Sequence, residues 1–197
     1  MNRMMEMEAQ TSRQLQHYTS MRRYSLENKR FSQRAEMTVR LTFRSPGHKV
    51  FEVLTEKGST AIRSRVFRRL LDSEVESTTE NMREASQITP RNYLFRIVGS
   101  EDLDGRKSHI LTATPKTKNK FLFEGKIWVD AESCGIARIE GSPAQNPSIW
   151  IRKTSFIHRY GRFGPFWMAL SNTSLTDALI FGRTEVRIEY YDYKINE

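Results

Sequence analysis

Cysteine is almost missing from this chain: Cys134 is the single one in 197 residues. No internal disulfide can form, and a cysteine-rich zinc site is excluded. No apolar run approaches the roughly 20 residues that a membrane-spanning helix needs. The phosphate loop G-x-x-x-x-G-K-[ST], the dinucleotide fingerprint G-x-G-x-x-G, the zinc helix H-E-x-x-H and the nucleophile elbow G-x-S-x-G are all absent. Histidines 17, 48, 109 and 158 fall in four separate predicted elements at no ligand spacing, and His158, in a strand beside Tyr160, reads as structural. Catalysis, a cofactor and a metal therefore have no positive support. The opening residues MNRMMEMEAQTSRQ lack an apolar stretch after a positive start and do not read as a secretory signal.

Acidic residues are the scarcer charge, 23 against 32 lysines and arginines, for a net charge of +9. Such a balance favours polyanionic surfaces, either nucleic acid or anionic lipid. The excess is dispersed: residues 1–60 carry 11 basic and 6 acidic groups, 61–90 carry 5 and 5, and 91–197 carry 16 and 12. That spread reads as a solvated surface. Hydrophobic residues at 38% and aromatics at 11% are those of a globular chain, and 197 residues suffice for one domain with a real core.

Periodicity supplies the architecture. Met4, Met5, Glu8, Leu15 and Tyr18 fall at helical spacing over 3–17, predicting a helix within residues 1–20. From Ala35 to Phe43 the pattern alternates without exception. Ala35, Met37, Val39, Leu41 and Phe43 share one face, and Glu36, Thr38, Arg40 and Thr42 share the other, which is an antiparallel strand with one wet face. Pro46-Gly47 turns the chain into a returning strand at 48–55. Ile62, Val66, Leu70 and Leu71 then recur at helical spacing, so residues 60–86 read as a helical insertion between strands. From Tyr93 onward, apolar runs at 93–100, 107–114, 120–130, 135–141, 148–160, 166–174 and 179–195 are separated by turn signals such as Asp104-Gly105. This is an antiparallel meander over 93–195, with no helical stretch long enough for a parallel crossover.

The expectation is a single domain over 1–197, α+β and mostly β. Its sheet of about ten to eleven antiparallel strands forms an incomplete, unclosed barrel with a helical plug on the concave face. A curled sheet of this size must fill its concave face with side chains, a helix or a ligand. If it encloses a cavity, the lining candidates are Met37, Val39, Leu41 and Phe43, then Phe51 and Val53 from the next strand. Ile62, Val66 and Leu70 would come from the covering helix, and Tyr93, Phe95 and Ile97 from the following strand. Phe121, Phe123, Trp128 and Trp150 complete the set from an aromatic-rich stretch. The same residues could instead form a solid core. Trp150-Ile151-Arg152-Lys153 and Tyr160-Gly161-Arg162-Phe163 interleave aromatic and basic groups, as single-strand nucleic-acid platforms do. No RNP-like pattern or recognition helix accompanies them.

Four segments occur in order within the meander: Ile127-Trp128-Val129-Asp130; I-x-R-I-E-G at 136–141; P-A-x-N-P-S-x-W-I at 143–151; and Gly164-Pro165-Phe166-Trp167. The closing stretch from Phe181-Gly182 through Ile188-Glu189-Tyr190 to Tyr193 follows them. Together they resemble bacterial envelope proteins of an outer-membrane lipoprotein-sorting-like group, similar to the LolA/LolB lipoprotein carriers. The resemblance spans about residues 22–195 and is strongest over 93–195. It implies an incomplete barrel of about eleven strands plugged by helices. It further implies a periplasmic location and binding or transport of a lipid, or of the acyl group of a lipoprotein, in a hydrophobic cavity. An envelope protein-interaction or sensor module on the same fold is the alternative, and a basic nucleic-acid-binding protein the third.

Overall fold

The computed structural model describes residues 2–76, 84–119, 121–146, 150–180 and 182–197. Helix α1 (Asn2–Gln14) leads into β1 (His17–Asn28), β2 (Gln33–Arg44) and β3 (His48–Gly58). A helical passage follows, made of α2 (Thr60–Ile62), one π-helical stretch (Arg63–Phe67) and α3 (Arg68–Glu76). Part of the expected 60–86 insertion, residues 77–83, lies outside the described residues. Seven further strands complete the chain: β4 (Tyr93–Leu103), β5 (Arg106–Pro115), β6 (Phe123–Asp130), β7 (Ile136–Pro143), β8 (Ile151–Phe163), β9 (Phe166–Ala178) and β10 (Gly182–Ile195).

All ten strands form one antiparallel sheet in the order β3-β2-β1-β10-β9-β8-β7-β6-β5-β4. The 93–195 meander is continuous, and the N-terminal three strands join it where β1 pairs with β10. The sheet is open: β3 and β4 are its two edges. The Asp104-Gly105 hairpin has positive φ at both residues, 52° and 77°, the geometry of a two-residue turn matched to strand twist.

One row of directly paired residues crosses the whole concave face. It runs Glu56–Met37–Tyr24–Ile188–Asn172–His158–Ile139–Ile127–Leu111–Ile97. Its chemistry divides the face into three. On the β1-β2-β10 side, Tyr24, Leu26, Met37, Val39 and Ile188 pack with Ile62, Phe67 and Leu71 of the helical passage. On the β4–β7 side, Tyr93, Leu111, Ala113, Ile127, Val129 and Ile139 pack with Met4 of α1. Between them β8 and β9 carry a polar floor: His158 beside Asn172, Phe156 beside Ser174, and Thr154 beside Thr176.

Two expectations change. The N-terminal helix ends at Gln14, and Tyr18 belongs to β1, an unforeseen strand. Its buried positions are Ser20, Arg22, Tyr24, Leu26 and Asn28, which alternate with period 2, but three of the five are polar. Hydrophobic alternation cannot reveal such a strand. The helical cover is held there by charge as well as packing. Arg22, only 3% exposed, donates to Glu74 at 2.5 Å, and Lys49 donates to the other Glu74 oxygen at 2.8 Å. The Arg22 guanidinium also lies 4.8 Å from the Tyr190 ring centre and 5.3 Å from that of Phe51. Burial raises the Glu74 pKa, but the two cations outweigh it and hold the carboxyl below its usual range.

Candidate binding cavity

Helix α1 presents Met4, Met7 and Thr11 along one side, and Leu15 just beyond its end continues the line, at spacings of three and four residues. Across from it stand Ile136 and Ile139 of β7, Tyr160 and Arg162 of β8, and Phe166, Trp167 and Met168 of β9. The two surfaces do not close. They leave a cavity of about 430 Å³, mostly apolar, completed by Ser12, Ile88, Pro165 and the turn Ser133-Cys134-Gly135. Its volume falls within the roughly 300–1,000 Å³ of small-molecule sites.

One wall is rigid for reasons that can be traced. Asp130, 1% exposed at the end of β6, accepts from Arg106 Nε at 2.7 Å and Nη2 at 3.0 Å. It also accepts from the backbone N–H of Ser133 at 2.7 Å and from the Ser133 hydroxyl at 2.6 Å. Burial raises its pKa, but the hydrogen bonds from Arg106 and Ser133 prevail and hold the carboxyl far below its ordinary value. The turn so fixed gives Cys134 a positive φ of 58°. Trp167 Nε1 donates to Ser133 Oγ at 3.0 Å, and its indole lies flat enough on Gly135 that a β-carbon there would sit 2.1 Å from Cδ1. Glycine is required at 135 because the indole occupies the place of a side chain.

The sixteen sequence-derived candidates are elsewhere, and none of them lines this cavity. Met37 and Val39 are buried against the helical passage, which supplies Ile62, with Phe51, Val66 and Leu70 packed at the margin, and Leu41 is buried on β2. Phe43 stacks on Tyr18, ring centres 5.0 Å apart. Tyr93 is buried in the β4–β7 cluster, with Phe95 and Phe123 packed against it, and Phe121 is half-buried. Val53, Ile97 and Trp150 are exposed. Trp128 stands on the opposite face from Ile127 and Val129, where its Nε1 donates to Glu101 and Arg138 lies over its ring. The cavity residues missed by sequence reasoning had one legible signal, the 4-7-11-15 stripe along α1 and the residue after it, which the mixed set Met4, Met5 and Glu8 obscured.

His158 stands on the polar floor with Phe156 at 4.9 Å and Tyr160 at 6.5 Å between ring centres. Burial lowers its pKa to about 4, so it is a neutral imidazole at neutral pH. The neighbouring Asn172 Oδ1 is buried without a hydrogen-bond partner.

No protein-family model matches the sequence, and no curated protein does. Solved structures do resemble it. A domain from Vibrio parahaemolyticus named for outer-membrane lipoprotein sorting is 13% identical, with 96% of this chain and 92% of that one covered at a TM-score of 0.45. A DUF1329 family protein from Desulfovibrio piger is 12% identical, covering 99% and 91% at 0.48. A LolA superfamily protein from Nitrosomonas europaea is 8% identical, covering 98% and 93% at 0.41. The functional reading rests on the cavity.

Proposed function

We propose that this chain binds, without catalysis, an acyl chain of a lipid or of an acylated polypeptide, and that it does so in the bacterial periplasm. The observation that carries the reading is the cavity of about 430 Å³ between α1 and β7–β9, walled by Met4, Met7, Ile136, Ile139, Phe166 and Met168. Each methylene moved from water into such a site contributes about 0.8 kcal/mol. Ten of them would supply about 8 kcal/mol before the entropic cost of association. Arg162 is the cation among the described lining residues. Its Nε is held by the Gly164 carbonyl at 3.0 Å, which leaves the terminal nitrogens for a carboxylate or a headgroup phosphate. The periplasmic location follows from the segments that resemble the lipoprotein-sorting group.

Displacement of a fluorescent fatty acid tests this reading. Wild type takes up one probe per chain, and Met7→Trp, which fills the space from α1, abolishes uptake while the far-UV spectrum and Tm stay within a few degrees. Uptake equal in both proteins, or none in either, contradicts it.

A second reading, an envelope protein-interaction module without bound lipid, is favoured by the open edges. Val50 on β3 and Leu94, Ile97 and Val98 on β4 are exposed on the two edge strands, whose outer sides pair with no other strand among the described residues, a template for an added strand. It predicts no probe uptake and retention of an extended peptide that Ile97→Lys weakens.

A further inference from the structure

Four large apolar side chains are exposed at one end of the sheet: Phe31 at 50%, Trp150 at 54%, Leu179 at 43% and Ile180 at 55%. They come from three separate connections that the register brings together. Asn28 pairs with both Gln33 and Thr184, while Ala178 pairs with both Gly182 and Ile151. Local contacts join the tips. The Leu179 N–H donates to the Trp150 carbonyl at 2.9 Å. The stem of Arg30 crosses Gly182, 3.1 Å from where a β-carbon would lie, and its guanidinium is 5.8 Å from the Phe31 ring centre. The Phe31 N–H is held by Asn28 Oδ1 at 3.0 Å, which fixes the turn that displays the ring.

The charge on the tips themselves is basic, with Glu27 and Asp177 set back on the strands. Lys29, Arg30, Arg34, Arg152, Lys153 and Arg183 lie within segments 28–34, 150–153 and 179–183, which contain no aspartate or glutamate. Arg34 pairs with Glu27 across the hairpin yet remains 80% exposed, and Asp177 lies near Lys153 and Arg183. An apolar tip carrying aromatic and aliphatic groups and ringed by cations matches a membrane interface, where Trp and Phe rest at headgroup level and Lys and Arg meet lipid phosphates. Single-stranded nucleic acid would use aromatic stacking and charge, but Leu179 and Ile180 offer no stacking face. They suit hydrocarbon.

We propose that this end of the sheet docks on a bilayer rich in anionic phospholipid, with Phe31, Trp150, Leu179 and Ile180 entering the interface. The proposal is independent of the acyl-binding reading. The cavity is walled by connections at 131–135 and 164–165, at the opposite end of the strands, so variants at one end leave the other intact.

Co-sedimentation with vesicles of phosphatidylglycerol and phosphatidylethanolamine, against vesicles of phosphatidylcholine, tests it. Wild type pellets with the anionic vesicles, less so as salt rises, and brominated lipid quenches tryptophan emission in wild type but less in Trp150→Phe. Each cation near an anionic surface contributes about fivefold in affinity, so Lys29→Glu with Arg30→Glu weakens binding by more than about tenfold. Ile180→Asp, which removes an inserted apolar group and adds one negative charge, does the same, and Lys107→Glu, at the far hairpin, costs less than either although it changes the charge by two. Leu179→Ser replaces Ile180→Asp if far-UV spectra show that the latter misfolds. Equal binding to both vesicle types, wild-type binding by the Lys29/Arg30 double variant, or no quenching overturns the proposal. So does single-stranded RNA that displaces the protein from vesicles while Ile180→Asp binds that RNA normally.

Discussion

Lowering the pH from 8 to 5 removes stability through one side chain, His158. In the folded chain its pKa is lowered to about 4 by burial on the concave floor, against about 6.5 when unfolded. Between these values the unfolded chain binds the extra proton and the folded chain does not, so stability rises with pH across that window and falls as the medium is acidified through it. The full separation is worth about 3 kcal/mol at 1.36 kcal/mol per unit, and about 2 kcal/mol of it is lost by pH 5. Glu74 and Asp130 have pKa values below their ordinary ones. Both remain ionised at pH 5, and their contributions are lost only at lower pH. Urea unfolding therefore shows a midpoint about 1 M lower at pH 5 than at pH 8, taking a slope near 2 kcal/mol per M. In His158→Gln most of that difference disappears. An imidazole resonance for His158 that titrates at or above 6.5, or a variant with the wild-type pH dependence, would refute the reasoning.

Three further predictions follow from particular contacts. Gly135→Ala drives a β-carbon into the Trp167 indole and lowers stability by about 1–3 kcal/mol; a double variant with Trp167→Leu loses less than the sum of the two single changes in urea titrations. Glu74→Gln leaves Arg22 buried without its carboxylate and costs about 3 kcal/mol, at the low end for a broken buried pair because Glu74 is 27% exposed. That loss should persist at pH 7 and shrink only below the ordinary carboxylate range, where the wild-type carboxyl is protonated. For saturated fatty acids, each added methylene tightens binding by about fourfold, from about 0.8 kcal/mol apiece, until the cavity is full; a competition series from eight to eighteen carbons reads the slope and the break.

Most of the fold was legible because strands with one wet face write their geometry in alternation. Ala35 through Phe43 is such a strand, and β2 spans Gln33–Arg44 around it. The hairpin at Asp104-Gly105 was equally plain. Strand β1 was not, since its buried face carries Ser20, Arg22 and Asn28, and the side chains to which Arg22 and the Asn28 amide donate lie more than fifty residues away, Glu74 and Thr184. The cavity was illegible for a related reason. Its walls are α1, the 133–135 turn and the β8–β9 hairpin, which meet only after the ten-strand sheet has curled. Trp128 could have been placed from parity alone, since Ile127 and Val129 flank it and face the core.

Native mass spectrometry of the protein purified from a bacterial host, followed by organic extraction and identification of the released lipid, tests the acyl-binding claim most directly. The account predicts a ligated species carrying one phospholipid or acylated peptide per chain, absent from Met7→Trp. A clean unliganded mass for wild type, or the same adduct retained in the cavity-filled variant, would contradict it.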